Sequence, residues 1–389
     1  MRRAVLLLCL GGLACGAPDT TSPEHPSELA RKPAGASAIT VIDLGLSRGG
    51  EDSQPWAIND AGTVVGERGA WYAPYRAFRW VPNAEQGTVG AVLDLPDFGG
   101  GSGRALGINN AEQIVGYSST AGQSQRAFLY DGTIHDLGVP SGWSASYAHA
   151  VNDAQPRLVI GAAEQSPFAR AAFVWTVAGA GPEYTISVSD PLPGLGGSQN
   201  VHSTEAWAVN EFGTVVGGAA HPAGGQRPVR WSAGSLEVTE LALLPGQLGG
   251  FVYGVDAGGS MVGVGFPVSG GCLVALVWPA GSTSSTAPTA LPGLGGCASE
   301  ARAINDAGDI AGWATTRRGG SRAVLWTLDN GDYTVMDLGR LKGAVSSLAT
   351  ALNEPVASPG GTSVELTGWS TTGAQAFRGT LWKVSRSTP

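Results

Sequence analysis

Ile58-Asn59-Asp60-Ala61-Gly62-Thr63-Val64-Val65-Gly66 is the stretch on which the reading of this chain turns. An aliphatic residue precedes an Asn, an Asp-Ala-Gly turn follows, and a second aliphatic run ends in Gly. The turn combines side chains that hydrogen-bond their own backbone with a Gly for positive φ, so it reads as a β-hairpin. The unit returns six more times, with the marker residue at Asn109, Asn152, Asn210, Asp256, Asn305 and Asn353. Successive markers lie 43 to 58 residues apart, the period of a propeller or a solenoid.

Working outward, the residue before each marker is aliphatic: Ile58, Ile108, Val151, Val209, Val255, Ile304, Leu352. Two before it stands only Gly or Ala: Ala57, Gly107, Ala150, Ala208, Gly254, Ala303, Ala351. Because strand side chains alternate between faces, one set buries a face while the other permits a close backbone approach. An inner strand near a crowded axis needs that pairing. The second strand of each unit ends in Gly, from Val64-Val65-Gly66 to Leu366-Thr367-Gly368, and the third ends in a large aromatic: Trp80, Tyr130, Trp175, Trp231, Trp278, Trp326, Trp382. Such rings wedge between adjacent β-layers.

A fourth strand usually closes on Asp-Leu or its equivalent, as in Leu93-Asp94-Leu95, His135-Asp136-Leu137, Thr239-Glu240-Leu241 and Met336-Asp337-Leu338. The seventh unit stops after Trp382 without one. An orphan, Ile39 to Leu44 with Asp43-Leu44, stands before the first. A displaced strand that completes the last unit closes the array into a ring and removes its exposed edges. The expectation is therefore an all-β, seven-bladed β-propeller with four-stranded blades over residues 39–385, the N-terminal strand closing the last blade. An open solenoid would leave the displaced strand unexplained. Composition agrees: Gly 60 and charged residues at 14%, without helical periodicity, describe many short strands joined by tight turns.

The net charge of -8 and scattered Lys/Arg exclude a nucleic-acid surface, which needs a basic stripe. Arg317-Arg318, the one basic doublet beyond the N-terminal region, reads as a solvated loop tip.

Residues 1–15 read as a targeting signal: Arg2-Arg3, then apolar Ala4 to Leu10, then the small-residue run Gly11 to Ala14 before Cys15. This resembles a bacterial lipoprotein signal, which implies lipidation of Cys15 as the first mature residue. The family has Leu three places before that Cys, where this chain has Gly12. Ordinary signal-peptidase cleavage, with Cys15 incidental, is the alternative. Residues 16–38 carry Pro18, Pro23, Pro26 and Pro33 without apolar periodicity and read as a disordered tether. No later run of eighteen apolar residues offers a membrane-spanning helix. Export favours a disulfide between the two remaining cysteines, Cys272 and Cys297, over a metal site, because no Cys-x-x-Cys or neighbouring His supports one.

Ile58 to Gly66, Arg126-Ala127-Phe128-Leu129-Tyr130 and His135-Asp136-Leu137-Gly138 resemble the extracellular HAF repeat over almost the whole chain after the tether. The eponymous His is Arg here, at Arg76 and Arg126, with Arg227, Arg322 and Arg378 in the same place before the strand-ending Trp. The resemblance implies secretion and repetition and carries no activity. One Arg in most blades, with an acidic residue in most blades at the Asp-Leu position, reads as structural pairing.

Function in a propeller resides where equivalent positions differ. Three before the marker stand Trp56, Leu106, His149, Trp207, Tyr253, Arg302 and Thr350; five before it stand Gln54, Arg104, Tyr147, Glu205, Phe251, Glu300 and Leu348. If this strand is innermost, Trp56, Arg104, Tyr147, His149, Glu205, Trp207, Tyr253, Glu300 and Arg302 gather near one mouth of the channel as a candidate glycan or peptide site. Packing between blades is the competing reading. Trp71, Tyr72 and Tyr75 form a second candidate patch. Glu205 and Glu300 are the only candidate acid/base pair, and they sit two blades apart. The His residues share no ligand spacing, and runs such as Gly99-Gly100-Gly101 lack the helix and Lys of a phosphate loop, so neither a metal nor a cofactor is expected. Two readings follow. One is an exported, cell-envelope or extracellular, monomeric binding module for a glycan or protein ligand, touching the membrane only through its lipid. The other is a polysaccharide-acting enzyme on the same scaffold.

Overall fold

The structure is a computed structural model, and it describes residues 36–45, 51–70, 73–84, 87–166, 169–181, 183–196, 204–268, 270–358, 361–373 and 376–387. The expected signal and all but the end of the expected tether lie outside these, as do Trp71 and Tyr72. Each of the first six units forms one four-stranded antiparallel blade in chain order, the first from Asp52–Ile58, Val64–Gly69, Arg76–Pro82 and Gly90–Asp94. The seventh blade runs from Ala344–Leu352 through Gly361–Thr372 and Phe377–Ser387 to Ala36–Asp43, with Val356–Ser358 added at one end of its second strand. The N-terminal strand thus closes the ring, Val41 facing Trp382 and Asp43 facing Thr380 in register.

The first strands of neighbouring blades touch one another all the way around, so the strand carrying the marker Asn is innermost. Each inner strand bulges at the same place. The residue three before the marker is skipped in the pairing, between Pro55 and Ala57 in blade 1 and between Ala206 and Ala208 in blade 4. A bulge leaves its extra residue unpaired and re-aims it. Each second strand continues past the Gly expected to end it, as in Ile114–Thr120 and Val215–Ala220, and the bulge accounts for that Gly, because a Cβ on Gly116 or Gly217 would overlap the carbonyl oxygen of Arg104 or Glu205.

The marker itself is a clasp. In all seven units its Oδ1 accepts the backbone N–H just beyond its own turn, as from Thr63 at 2.9 Å, Leu158 at 2.8 Å and Ser260 at 2.7 Å. At five seams its Nδ2 also donates to the carbonyl of the next marker: Asn59 to Asn109, Asn109 to Asn152, Asn152 to Asn210, Asn210 to Asp256, Asn305 to Asn353. Asp256 has no such donor, and Asn353 Nδ2 is buried without a partner. One residue on, backbone N–H groups donate to the next blade's side chain, and Glu354 N to Asp60 Oδ1 at 2.9 Å joins the last blade to the first. The turn face is therefore laced shut.

Between blades, the third-strand tryptophans fill the seams, with Trp175, Trp231, Trp278, Trp326 and Trp382 fully buried. Trp231, Trp278 and Trp326 also donate their indole N–H to the preceding blade, at Pro193, Ala242 and Pro292, over 2.7–2.9 Å. A Ser or Thr six before the marker also bridges to the preceding blade, as an acceptor. Ser146, Thr204, Ser299 and Ser347 accept the N–H of Ala127, Ala172, Ala275 and Ala323. Cys272 and Cys297 are bridged, with Cα atoms 5.4 Å apart, which ties blade 5 to blade 6.

The Arg of the Arg-Ala-Phe position meets the fourth-strand acid: Arg76–Asp94, Arg126–Asp136, Arg227–Glu240, Arg322–Asp337 and Arg378–Asp43. Asp43 lies on the displaced strand. Blade 7 therefore reproduces across the chain ends the pair that other blades make within one unit.

Candidate functional site

Inner strands run from a loop face toward the laced turn face, so the residue five before the marker lies on the loop side of the bulge and the residue three before it is the bulge itself. The set five before the marker packs across seams. Arg104 Nε reaches Glu67 Oε2 of blade 1 at 2.7 Å and lies over the Tyr75 and Tyr117 rings. Tyr147 meets Tyr117 edge-on at 4.8 Å and donates its hydroxyl to Glu164 at 3.0 Å. Glu205 pairs with Arg170 of blade 3 at 3.6 Å. Phe251 covers Gly218 of blade 4, where any Cβ would strike its ring. Packing between blades thus accounts for most of this set. Tyr75, a member of the second candidate patch, is taken up by Arg104 and by a 3.4 Å bond to Asp52.

The bulged set, three before the marker, behaves differently. His149 is buried, bonded through Nδ1 to the Ala206 carbonyl at 2.7 Å, and stacked flat on Trp207 at 4.9 Å. Trp207 meets Tyr253 edge-on at 5.9 Å, and the Arg302 guanidinium covers the Tyr253 ring at 4.6 Å. His149, Trp207, Tyr253 and Arg302 therefore form one continuous ribbon over blades 3 to 6. Trp207, Tyr253 and Arg302 are half-buried, while the Trp207 indole nitrogen is itself buried and has no partner. Trp56 stands apart, edge-on to Trp369 at 5.2 Å and bonded to Glu67 Oε1 at 3.4 Å. Thr350 is buried and bonded to the Pro55 carbonyl at 3.1 Å.

Burial sets the protonation of this ribbon. It pulls the His149 imidazole down to about 4, with Arg170 adding in the same direction, so the ring is neutral at physiological pH. Burial pushes the Glu300 carboxyl up while Arg302, ion-paired to it, opposes the shift. The Tyr253 phenol is raised by burial first and then by Glu300, with Glu205 contributing. The fields of both carboxylates therefore converge on one ring, although each carboxylate already holds an arginine. Among the described residues no cluster of three or more His, Cys, Asp or Glu is arranged to hold a metal ion.

Reading the inner strand alone misses half of each seam. Glu67, Tyr117, Trp313 and Trp369 come from the position just after the second-strand Gly and stand directly opposite Gln54, Arg104, Glu300 and Leu348. That position varies between units as much as its partner, which is the signal that marks it. An open depression of about 590 Å³ lies elsewhere, on the turn side of blades 1 and 2 beside Arg79, Leu93 and Glu112, away from the ribbon.

No protein-family model matches the sequence, and no curated protein is similar to it. Solved structures do share its fold. The acylaminoacyl peptidase of Pyrococcus horikoshii aligns at 11% identity and a TM-score of 0.52, over 90% of this chain and 54% of the peptidase, so this chain spans about half of that protein. TolB from Acinetobacter baumannii aligns at 10% identity and 0.40, over 84% and 80% of the two chains. The polysaccharide lyase Uly1 aligns at 10% and 0.46, over 94% of each. Identities this low speak to the propeller scaffold alone.

Proposed function

We propose that the chain is an exported propeller of the HAF-repeat kind, held at the cell envelope through Cys15, that works as a monomer without catalysis and binds a glycan or protein ligand on its loop face. The observation that supports it is the ribbon His149-Trp207-Tyr253-Arg302: two half-buried aromatic rings, Trp207 and Tyr253, in an unbroken row between a buried His149 and Arg302. Aromatic faces beside polar groups suit sugar rings. The opposite face offers little, because its turns are spent on bonds between blades.

An enzymatic reading rests on Glu205 and Glu300, whose fields meet at Tyr253. It is the weaker one. A glycosidase pair needs one carboxyl free to give its proton and another free to receive or attack, whereas Arg170 and Arg302 hold both. The separating experiment is an oligosaccharide array with the wild type, Trp207→Ala and Trp231→Ala, with product analysis on every glycan retained. The binding reading expects retention without turnover, lost in Trp207→Ala. Turnover abolished by Glu300→Gln would favour the enzyme.

A further inference from the structure

The loop face carries one strongly cationic sector, and it lies outside the ribbon. In blade 6 the turn joining Ile310–Thr316 to Ser321–Asp329 is closed by Gly319 N to Thr316 O at 2.8 Å, and its exposed tip is Arg317-Arg318. The Arg317 stem lies over Gly295. Arg322 opens the next strand and donates to the Val345 carbonyl at 3.3 Å, while the connection into blade 7 adds exposed Arg340 and Lys342. Arg340 and Arg322 share a field, because Arg340 joins burial in lowering the Arg322 pKa. Among the described residues the one carboxylate paired with any of these five is Asp337, 3.9 Å from Arg322. Elsewhere on this face the arginines are matched, Arg104 with Glu67, Arg170 with Glu205 and Arg302 with Glu300. A chain of net charge -8 thus concentrates unmatched cations in one place.

We propose that this sector binds an acidic polysaccharide, a chain bearing uronic carboxylates along its length. The cations stand on a hairpin of blade 6 and on the connection into blade 7, so they suit a polymer that meets several of them at once better than a small anion. Arg317, Arg318 and Arg322 belong to the blade that also supplies Arg302, the end of the aromatic ribbon. Ala36 pairs with Arg386 at the turn-face end of blade 7, so the described chain begins on the face opposite this sector. The inference rests on the loop face being the glycan-binding face.

The test uses the mature chain and three probes of known composition: polygalacturonate, neutral dextran and poly-L-glutamate. Titration calorimetry at low salt should rank polygalacturonate tightest. The exposed double variant Arg317→Glu/Arg318→Glu should melt like the wild type yet bind polygalacturonate at least about tenfold more weakly, with a flatter salt dependence. Unchanged affinity in that variant, or poly-L-glutamate bound as tightly as polygalacturonate, would overturn the proposal. Neutral glycans bound through Trp207 while polygalacturonate is ignored would sink this inference and leave the functional reading standing. Failure to bind any glycan would remove both.

Discussion

Asp256→Asn should stabilise the propeller, with the disulfide present or absent. At the seam between blades 5 and 6 the marker is a carboxylate, which keeps the bond from Ser260 N at 2.7 Å but has no N–H to give to Asn305. The same seam carries the Cys272–Cys297 bridge, 25 residues apart in sequence. Closing a loop of that size restrains the unfolded chain by roughly 3.5 kcal/mol in the entropic account. A carboxamide at position 256 would restore the clasp made at 2.9 Å between Asn305 and Asn353, and one such net bond adds about 1 kcal/mol. Urea unfolding of the wild type, Asp256→Asn, Cys272→Ser/Cys297→Ser and the triple variant forms the cycle. The expected result is a loss of about 3.5 kcal/mol without the bridge, of which the Asn recovers about 1 kcal/mol. Asp256→Asn leaving both backgrounds unchanged or weaker would refute the clasp as an energetic element.

Deleting residues 36–44 should cost several kcal/mol and lower the melting temperature, since a whole strand and the buried Leu44 are lost; an unchanged melt would contradict closure. For His149 the unfolded imidazole protonates near 6.5 and the folded one only near about 4, so the unfolded state binds the extra proton between those values. Stability from this residue is then complete above 6.5 and is lost as pH falls toward about 4, by roughly 3 kcal/mol in all, and His149→Gln should flatten that part of the curve. Wild-type and variant curves that run parallel across this window would count against a neutral buried imidazole. Cys15→Ser should release the protein from membranes if the thiol is acylated, and a soluble wild type would rule the anchor out.

The ring was legible because its determinants are local and repeated. A hairpin turn, a small residue two before the marker and a wedge Trp recur at fixed spacing, and the missing fourth strand of unit 7 has its counterpart in Asp43-Leu44. The site was less so. Gln54, Arg104, Glu205 and Glu300 look like a ligand set when only one strand is considered. The roles of Arg104 and Glu205 depend on what the neighbouring blade presents, and their partners Glu67 and Arg170 are 37 and 35 residues away in sequence. The bulge that separates the channel residues from the seam residues leaves no local signature beyond the paired Gly. Charge patterning was legible in kind only. Arg317-Arg318 reads as a solvated tip, and its company with Arg322, Arg340 and Lys342 follows from the connection between blades 6 and 7.

Amide hydrogen exchange of the mature chain, with and without the tightest glycan retained from the oligosaccharide array, tests the central claim most directly. Binding at the ribbon predicts slowed exchange in the inner strands Ala145–Val151, Thr204–Val209, Gln247–Val255 and Gly295–Ile304, on the loop side of their bulges. Protection confined to the turn face, or no glycan retained at all, would contradict it.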